Sequence, residues 1–195
     1  MDPETLAAYE RNAALYADEW QTQPAPVDLY GLVDRYFLPG RTADVGAGTG
    51  RDAAWLMARG FPVVAFEPSA ALIREGRRRH PQVEFRQAAL PDLPGEAPGS
   101  FRNVLAETVI MHLPPELVGL SVARLWELVG DGGTLYLSWR VTDGEPVRDA
   151  AGRLYAAFCA SLVRGALPNA TLLVDETVSS ASSGRRIHRL VARKP

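Results

Sequence analysis

Apolar and aromatic side chains recur every three or four residues near the start of the chain. Because one helical turn takes about 3.6 residues, this spacing predicts an amphipathic helix over residues 2–20. A second apolar helix is predicted over residues 27–37, before Pro39 and Gly40 interrupt the pattern. These segments together predict a helical cap over residues 1–38. The stripe of the first helix consists of Leu6, Tyr9, Ala13, Tyr16 and Trp20.

Short apolar runs alternate with helical patterns beyond residue 41. Alternating strands and helices predict a mostly parallel sheet with helices on both faces, which is a doubly wound α/β fold. Ser69 is a plausible N-cap for the helix that follows it. The predicted strands are 42–45, 63–67, 83–87, 101–106 and 134–139, and the predicted helices are 51–59, 70–79 and 114–129.

The C-terminal part departs from this alternation. Residues 171–178 and 186–191 predict two strands joined by a Ser/Gly turn, hence an antiparallel C-terminal hairpin at one edge of a seven-stranded sheet. Residues 153–167 leave two interpretations open, either one helix or an extended piece over 154–158 followed by a helix. We therefore expect one domain over residues 1–195, with the helical cap at its start and an α/β core over residues 41–195.

Charge and cysteine content limit the classes of partner and the cellular locations expected for this chain. The chain has 195 residues, with 21 basic against 23 acidic side chains and a net charge of −2, so no overall positive field attracts a nucleic acid. The basic run 77–80 ends a predicted helix, where cations complement the helix dipole. The single Cys159 cannot form an internal disulfide, which favours a cytoplasmic location. No apolar run is long enough for a membrane partner, and no metal site is expected.

A glycine-rich turn is the strongest functional motif. Gly46, Gly48 and Gly50 follow a predicted strand and open a predicted helix, and glycines let the backbone approach a ligand closely. Arg51 stands where a dinucleotide fingerprint needs its third glycine, which disfavours NAD. Glu67 ends the next strand, where its carboxylate can accept hydrogen bonds from ribose hydroxyls. These features together predict a nucleoside site.

The ordered set of motifs resembles the class I S-adenosylmethionine-dependent methyltransferases. The turn 44–50 and the segment 63–69 are similar to the family's first two motifs. Residues 101–115 resemble its fourth-strand motif, and residues 130–138 resemble its glycine turn into strand five. The resemblance implies a Rossmann-like sheet and S-adenosyl-L-methionine as cofactor.

The resemblance also implies roles for particular residues. Asp44 and the backbone of the glycine turn would hold the methionine part of the cofactor, Glu67 its ribose, and residues 88–90 its adenine, with Tyr9, Tyr16 and Trp20 as a lid. The chain departs from the family pattern at Ala88 and Ala89, where the family often has an acid, and at Arg102, where it commonly has aspartate. The expected cofactor-binding residues are Asp44, Gly46, Ala47, Gly48, Gly50, Glu67, Pro68, Ala88, Ala89, Leu90, Ala106 and Tyr16.

The expected reaction is methyl transfer to a small-molecule acceptor, because residues 140–170 are few for a macromolecular recognition domain. Glu107 and His112 follow the fourth strand and are the candidate general bases, although each also fits a plain structural role. Arg51 and Arg140 lie toward the ligand edge, where they can meet a carboxylate or a nearby salt partner. Two alternatives stay open: a non-catalytic nucleoside-binding protein of the same fold and, less favoured, an NAD-dependent oxidoreductase.

Overall fold

A computed structural model describes residues 1–195 as seven α-helices and nine strands, with a short 3-10 helix over Ile110–His112. The helices are α1 (Pro3–Arg11), α2 (Ala13–Thr22), α3 (Val27–Tyr36), α4 (Arg51–Ala58), α5 (Ala70–Arg79), α6 (Pro115–Leu128) and α7 (Ala160–Gly165). The strands are β1 (Thr42–Val45), β2 (Val63–Glu67), β3 (Glu84–Gln87), β4 (Phe101–Ala106), β5 (Val129–Arg140), β6 (Val147–Arg148), β7 (Leu154–Tyr155), β8 (Thr171–Ser179) and β9 (Arg186–Arg193).

Seven of the strands form one sheet in the order β3-β2-β1-β4-β5-β9-β8. The first five run parallel, whereas β9 is antiparallel to both β5 and β8. The predicted fold class, with its C-terminal hairpin, is thereby confirmed. The strand order reverses between β1 and β4, and ligands in open α/β sheets bind at the carboxyl ends of the strands near such a reversal.

Side chains of successive strand residues point to opposite faces of the sheet and build two cores. In β2, Val64 and Phe66 join the core under α6, while Val63 and Ala65 join the core under α3 and α4. Strand residues buried on both faces are typical of a parallel sheet covered by helices on each side. No helix is both long enough and apolar enough to cross a lipid bilayer.

The predicted helix over residues 2–20 is wrong as a single element. Asn12 has the non-helical angles φ −115° and ψ 20°, and it separates α1 from α2. Its side-chain amide and its backbone amide both donate to the Ala8 carbonyl oxygen, at 3.1 and 3.2 Å, so a local side-chain hydrogen bond reinforces the end of α1. Helix α3 also differs from α1 and α2, because its Leu29 and Val33 pack in the sheet core.

The second interpretation of residues 153–167 is the correct one. Strand β7 pairs with β6 in a separate two-stranded sheet, and α7 follows it. This small sheet holds the start of the chain, because the Arg148 guanidinium grips both oxygens of Asp2 at 2.8 and 2.9 Å. The Leu154 amide also donates to the Thr5 hydroxyl at 2.8 Å. The cap formed by α1 and α2 is therefore tied to the segment after β5.

Arg102 lies away from the ligand edge. Its guanidinium donates to the Asp131 carbonyl oxygen at 2.7 Å, and its aliphatic stem packs beside Gly40. Arg102, which departs from the family pattern, therefore stabilises the backbone at Asp131 near the start of β5.

Candidate functional site

The loop between β1 and α4 takes a path that only glycine accommodates easily. Gly46, Gly48 and Gly50 have φ of 75°, 57° and 78°, in the left-handed region that other residues rarely adopt. A Cβ atom on Gly48 would lie 2.9 Å from the Trp20 ring, and one on Gly50 would lie 2.5 Å from the Phe85 ring. Gly48 thus permits close packing of the loop against the cap, and Gly50 permits close packing against β3.

Glu67 closes the loop from the end of β2. Its carboxylate is 3% exposed and accepts hydrogen bonds from the backbone amides of Gly48 and Ser69, both at 2.9 Å. Burial raises the pKa of Glu67 to about 7, although these two amides oppose the shift. Each carboxylate oxygen accepts more than one hydrogen bond, so the geometry leaves capacity for ribose hydroxyls.

Asp44 lies buried beneath the loop, and its Oδ2 atom has no hydrogen-bond partner. Burial raises the pKa of Asp44 well above its usual value, and the carboxylates of Asp52 and Glu67 add to the shift. A buried carboxylate oxygen without a donor is costly, and a donor on a ligand would satisfy it. Together with the glycine loop and Glu67, this orphaned oxygen fits a polar nucleoside cofactor.

The carboxyl edge of the sheet contains a cleft of about 400 Å³ and a smaller pocket of about 80 Å³ beside it. A volume of this size is in the range of small-molecule sites. Ala47 lines the cleft and Glu67 lines the pocket. The walls that the two share are formed by Tyr9, Trp20, Gly46, Gly48, Glu107, Thr108 and His112.

Glu107 follows the last residue of β4 and faces both spaces. Its Oε2 atom accepts a hydrogen bond from the Ser138 hydroxyl at 2.5 Å, and the Ser138 oxygen accepts one from the Thr108 amide at 3.0 Å. Thr108 has φ of 54°, an unusual angle for a β-branched residue of the kind that occurs at functional sites. Burial raises the pKa of Glu107 to about 7, which suits a carboxylate that exchanges a proton near neutral pH.

His112 also lines both spaces, but its two ring nitrogens are already engaged. Nδ1 lies 2.6 Å from the Leu154 carbonyl oxygen, so this nitrogen must carry the proton and donate. Burial lowers the pKa of His112 to about 4, so the ring is neutral and Nε2 accepts from the Tyr9 hydroxyl at 3.0 Å. Of the two candidate bases, Glu107 is the one more available to an acceptor in the cleft.

Only two of the three aromatic residues expected to form the lid line the cleft and the pocket. Tyr9 and Trp20 line the cleft and the pocket, as a lid would, whereas Tyr16 lies outside both. Tyr16 instead stacks on Trp20 with ring centroids 5.7 Å apart. The N-terminal amine of Met1 donates to the Leu90 carbonyl oxygen at 3.1 Å, so the cap also reaches the segment expected to flank adenine.

The structure brings part of the predicted set together. Leu90 and Ala106 belong to the apolar core under α6, and Ala88 packs against that core. The predicted residues that line neither space are Asp44, Gly50, Pro68, Ala88, Ala89, Leu90, Ala106 and Tyr16. Their expected contacts with a cofactor remain predictions.

Several residues of the cleft, and one buried residue behind its wall, carried no signal in the sequence. Ser138 is an ordinary strand residue until the register of β4 and β5 places it beside Glu107. Arg153 and Tyr155 come from the segment whose structure was ambiguous, and the β8–β9 turn adds Arg185 and three serines. Only the tertiary arrangement of these elements assembles this wall.

Comparisons with known proteins agree with this geometry. A family described as "Methyltransferase domain" matches residues 43–133, the stretch that contains the glycine loop, Glu67 and Glu107. Over 98% of the chain, the fold superposes with TM-score 0.74 on 1,6-didemethyltoxoflavin-N1-methyltransferase from Burkholderia thailandensis, a structure with bound S-adenosylhomocysteine. Residues 43–133 thus match a methyltransferase domain, and the fold is one that S-adenosylmethionine-dependent methyltransferases share. The Burkholderia methyltransferase is 24% identical, and the match covers 87% of its length.

Two curated methyltransferases are similar in sequence. Ubiquinone biosynthesis O-methyltransferase from Xanthomonas campestris is 33% identical over 118 residues, which is 58% of this chain and 48% of the relative. Trans-aconitate 2-methyltransferase from Methylobacterium nodulans is 35% identical over 123 residues, which is 62% of this chain and 45% of the relative. The chain thus spans about half the length of these methyltransferases, and their names describe different acceptors.

Proposed function

We propose that this chain transfers a methyl group from S-adenosyl-L-methionine to a small-molecule acceptor. The observation that carries the proposal is the continuous wall from Glu67, at the end of β2, past the glycine loop to Glu107, at the end of β4. This wall combines a nucleoside-binding edge with a buried carboxylate suited to proton transfer. The match of residues 43–133 to a methyltransferase domain supports the same activity.

Each part of the wall has a role in the proposal. Glu67 accepts the ribose hydroxyls, and the backbone of Gly46 and Gly48 accommodates the methionine part of the cofactor. Asp44 lies buried beneath this wall, and its unpartnered Oδ2 atom is proposed to receive a donor from the cofactor. The bound cofactor supplies an electrophilic methyl group on a sulfonium. The residues of the chain orient this group, exclude water and receive the proton that the acceptor loses.

Glu107 is the proposed proton acceptor. The acceptor's lone pair forms the new bond to the methyl carbon, the carbon–sulfur bond breaks with its electron pair remaining on sulfur, and the acceptor's proton passes to Glu107. Ser138 fixes the carboxylate through its hydrogen bond. Holding the acceptor and the methyl group together in reacting geometry can supply about 7–11 kcal/mol of the barrier.

A small acceptor fits the way in which the cleft is covered. Helix α2 and the β8–β9 turn meet across it, where the Ser182 hydroxyl donates to the Gln23 side-chain oxygen at 3.2 Å. The net charge of −2 also disfavours a nucleic-acid acceptor.

The proposal is tested with methyl-labelled S-adenosylmethionine and a low-molecular-mass metabolite extract. We expect label to appear in small molecules, together with S-adenosylhomocysteine, and transfer to fall at least about a hundredfold in Glu107→Gln. Gln keeps an oxygen that accepts from Ser138 but cannot take a proton. Binding of the nucleoside without any transfer would indicate a non-catalytic binding protein, and binding of NAD instead would indicate an oxidoreductase.

A further inference from the structure

The distal wall of the cleft contains two arginines without acidic partners. Four arginines line the cleft, of which Arg51 pairs with Asp52 at 3.0 Å and Arg153 pairs with Asp149 at 2.7 Å. Arg140 has no carboxylate within 4 Å, and its guanidinium lies 4.8 Å from the centre of the Tyr155 ring. Arg185 likewise forms no ion pair. The cleft therefore has uncompensated positive charge on one side.

Arg140 and Arg185 lie at the same edge of the sheet. Arg140 ends β5, and its register partner Ile187 stands near the start of β9. The Val141 amide donates to the Arg186 carbonyl oxygen at 3.0 Å, which holds the two chain segments side by side. Both residues thus line the same cleft, although they are 45 positions apart in the sequence.

This region lies on the acceptor side of Glu107. The sheet order places β1 and β4 between β2, which ends in Glu67, and β5, which ends in Arg140. Three strand spacings correspond to roughly 14 Å, so this distance separates the strand end of Glu67, which lines the smaller pocket, from that of Arg140, which lines the cleft. A cofactor held at Glu67 and the glycine loop leaves the Arg140 end to the second substrate.

We propose that the acceptor is a carboxylate-bearing small molecule whose carboxylate binds Arg140, assisted by Arg185. The inference rests on the proposed function, since it assigns the second substrate of the same site. Guanidinium groups bind carboxylates through paired, charge-assisted hydrogen bonds. The acidic Glu107 and Glu19 also line the cleft, and their repulsion favours a carboxylate monoanion over a phosphate dianion. Tyr155 and Trp20 provide flat apolar surface for an unsaturated or aromatic body.

The test compares benzoate, its neutral analogue benzamide and phenyl phosphate on the chain saturated with S-adenosylhomocysteine. Calorimetric titration should show that benzoate binds at least about tenfold more tightly than benzamide, as expected for one charge-assisted pair. Arg140→Gln should abolish this preference, and Arg140→Lys should restore part of it. The matched control is Arg74→Gln, because Arg74 is exposed on α5 and forms no ion pair.

The affinity for S-adenosylhomocysteine in each variant separates the possible results. The proposal expects this affinity to be unchanged in Arg140→Gln, which also shows that the variant is folded. An equal loss of S-adenosylhomocysteine binding would overturn it, because Arg140 would then hold the cofactor. Equal binding of benzoate and benzamide, or tighter binding of phenyl phosphate, would overturn it as well. If the wild-type chain does not bind S-adenosylhomocysteine, the proposed function fails. In that case, a preference for benzoate that depends on Arg140 would still support a carboxylate-binding site at Arg140.

Discussion

The hydroxyl group of Tyr9 donates a hydrogen bond to Nε2 of His112, 3.0 Å away and 103 positions distant in the chain. This bond joins α1 of the cap to the floor of the cleft. The opposite ring nitrogen of His112 donates to the Leu154 carbonyl oxygen, so the cap, the segment after β4 and β7 meet at one imidazole. The cleft wall depends on this junction, because Tyr9 and His112 both line it.

Tyr9→Phe is predicted to destabilise the fold. The variant removes the hydroxyl and leaves the buried Nε2 atom of His112 without a partner, which costs about 1–3 kcal/mol in the free energy of unfolding. Urea denaturation measures this cost. Tyr36→Phe is the matched control, with an expected change below about 0.5 kcal/mol, since the Tyr36 hydroxyl forms no protein hydrogen bond. Equal effects of the two substitutions would contradict the role of the Tyr9–His112 bond.

Asp2→Asn is predicted to loosen α1. The Asp2 carboxylate receives the Arg148 guanidinium and the Thr5 amide, and the hydrogen bonds from Arg148 keep the pKa of Asp2 well below its usual range. A carboxyl with a lowered pKa stabilises the folded state above its unfolded pKa of about 4, and the benefit disappears as the pH falls toward the folded pKa. The expected loss at neutral pH is about 1 kcal/mol, because Arg148 is partly exposed.

Hydrogen exchange measures this loosening. The backbone amides of α1 should exchange faster in Asp2→Asn. Glu4→Gln should change their exchange rates little, because the Glu4 side chain is 60% exposed in its contact with Arg148. Exchange that is as slow in Asp2→Asn as in the wild type would show that other contacts hold the cap.

Glu107→Gln is predicted to become more stable relative to the wild type as the pH rises. Burial raises the pKa of Glu107 to about 7, so the folded protein binds this proton more tightly than the unfolded chain does. The stabilisation from that proton is complete below the unfolded pKa of about 4.5 and is lost as the pH rises through about 7. Between about pH 4 and about pH 8, the stability difference should shift by about 3 kcal/mol in favour of Gln.

Chemical denaturation at a series of pH values measures this shift. Glu116→Gln is the control, because Glu116 is exposed in the first turn of α6 and forms no ion pair. A stability difference for Glu107→Gln that is as independent of pH as the control would mean that Glu107 does not titrate as described.

Gly50→Ala and Gly60→Ala separate the backbone strain at a glycine from the lack of space around it. Both glycines have positive φ, 78° and 88°, but a Cβ on Gly50 would lie 2.5 Å from the Phe85 ring, whereas nothing lies within 4 Å of one on Gly60. We expect Gly60→Ala to cost about 1 kcal/mol from strain alone and Gly50→Ala to cost about 1–3 kcal/mol more from overpacking. Thermal denaturation compares the two, and equal costs would show that Phe85 yields freely.

The sequence predicted the sheet, the glycine loop and Glu67 because these depend on local signals. Glycine spacing, strand alternation and an acid at a strand end all lie within short segments. The break at Asn12 was missed because no glycine or proline marks it. The Tyr9–His112 bond and the Ser138–Glu107 bond were also missed, because they arise from the docking of the cap and from the register of β4 and β5.

The arginines of the cleft were likewise predicted only in part. The sequence placed Arg51 and Arg140 near the ligand edge, but it did not indicate which of them has a salt partner. That depends on the side-chain arrangement, in which Asp52 engages Arg51 and no acid reaches Arg140. Arg185 had no signal, since it enters the cleft only through the folding of the β8–β9 hairpin.

Calorimetric binding of S-adenosylhomocysteine to the wild-type chain and to Glu67→Gln tests whether the chain holds the cofactor through Glu67. We expect saturable binding at one site, weakened by at least about tenfold in Glu67→Gln. Wild-type affinity should also fall as the pH drops through about 7, because burial raises the pKa of Glu67 to about 7 and the proposed hydrogen bonds from the ribose hydroxyls need the ionised carboxylate. No binding to the wild type, or equal affinity in Glu67→Gln, would contradict the account.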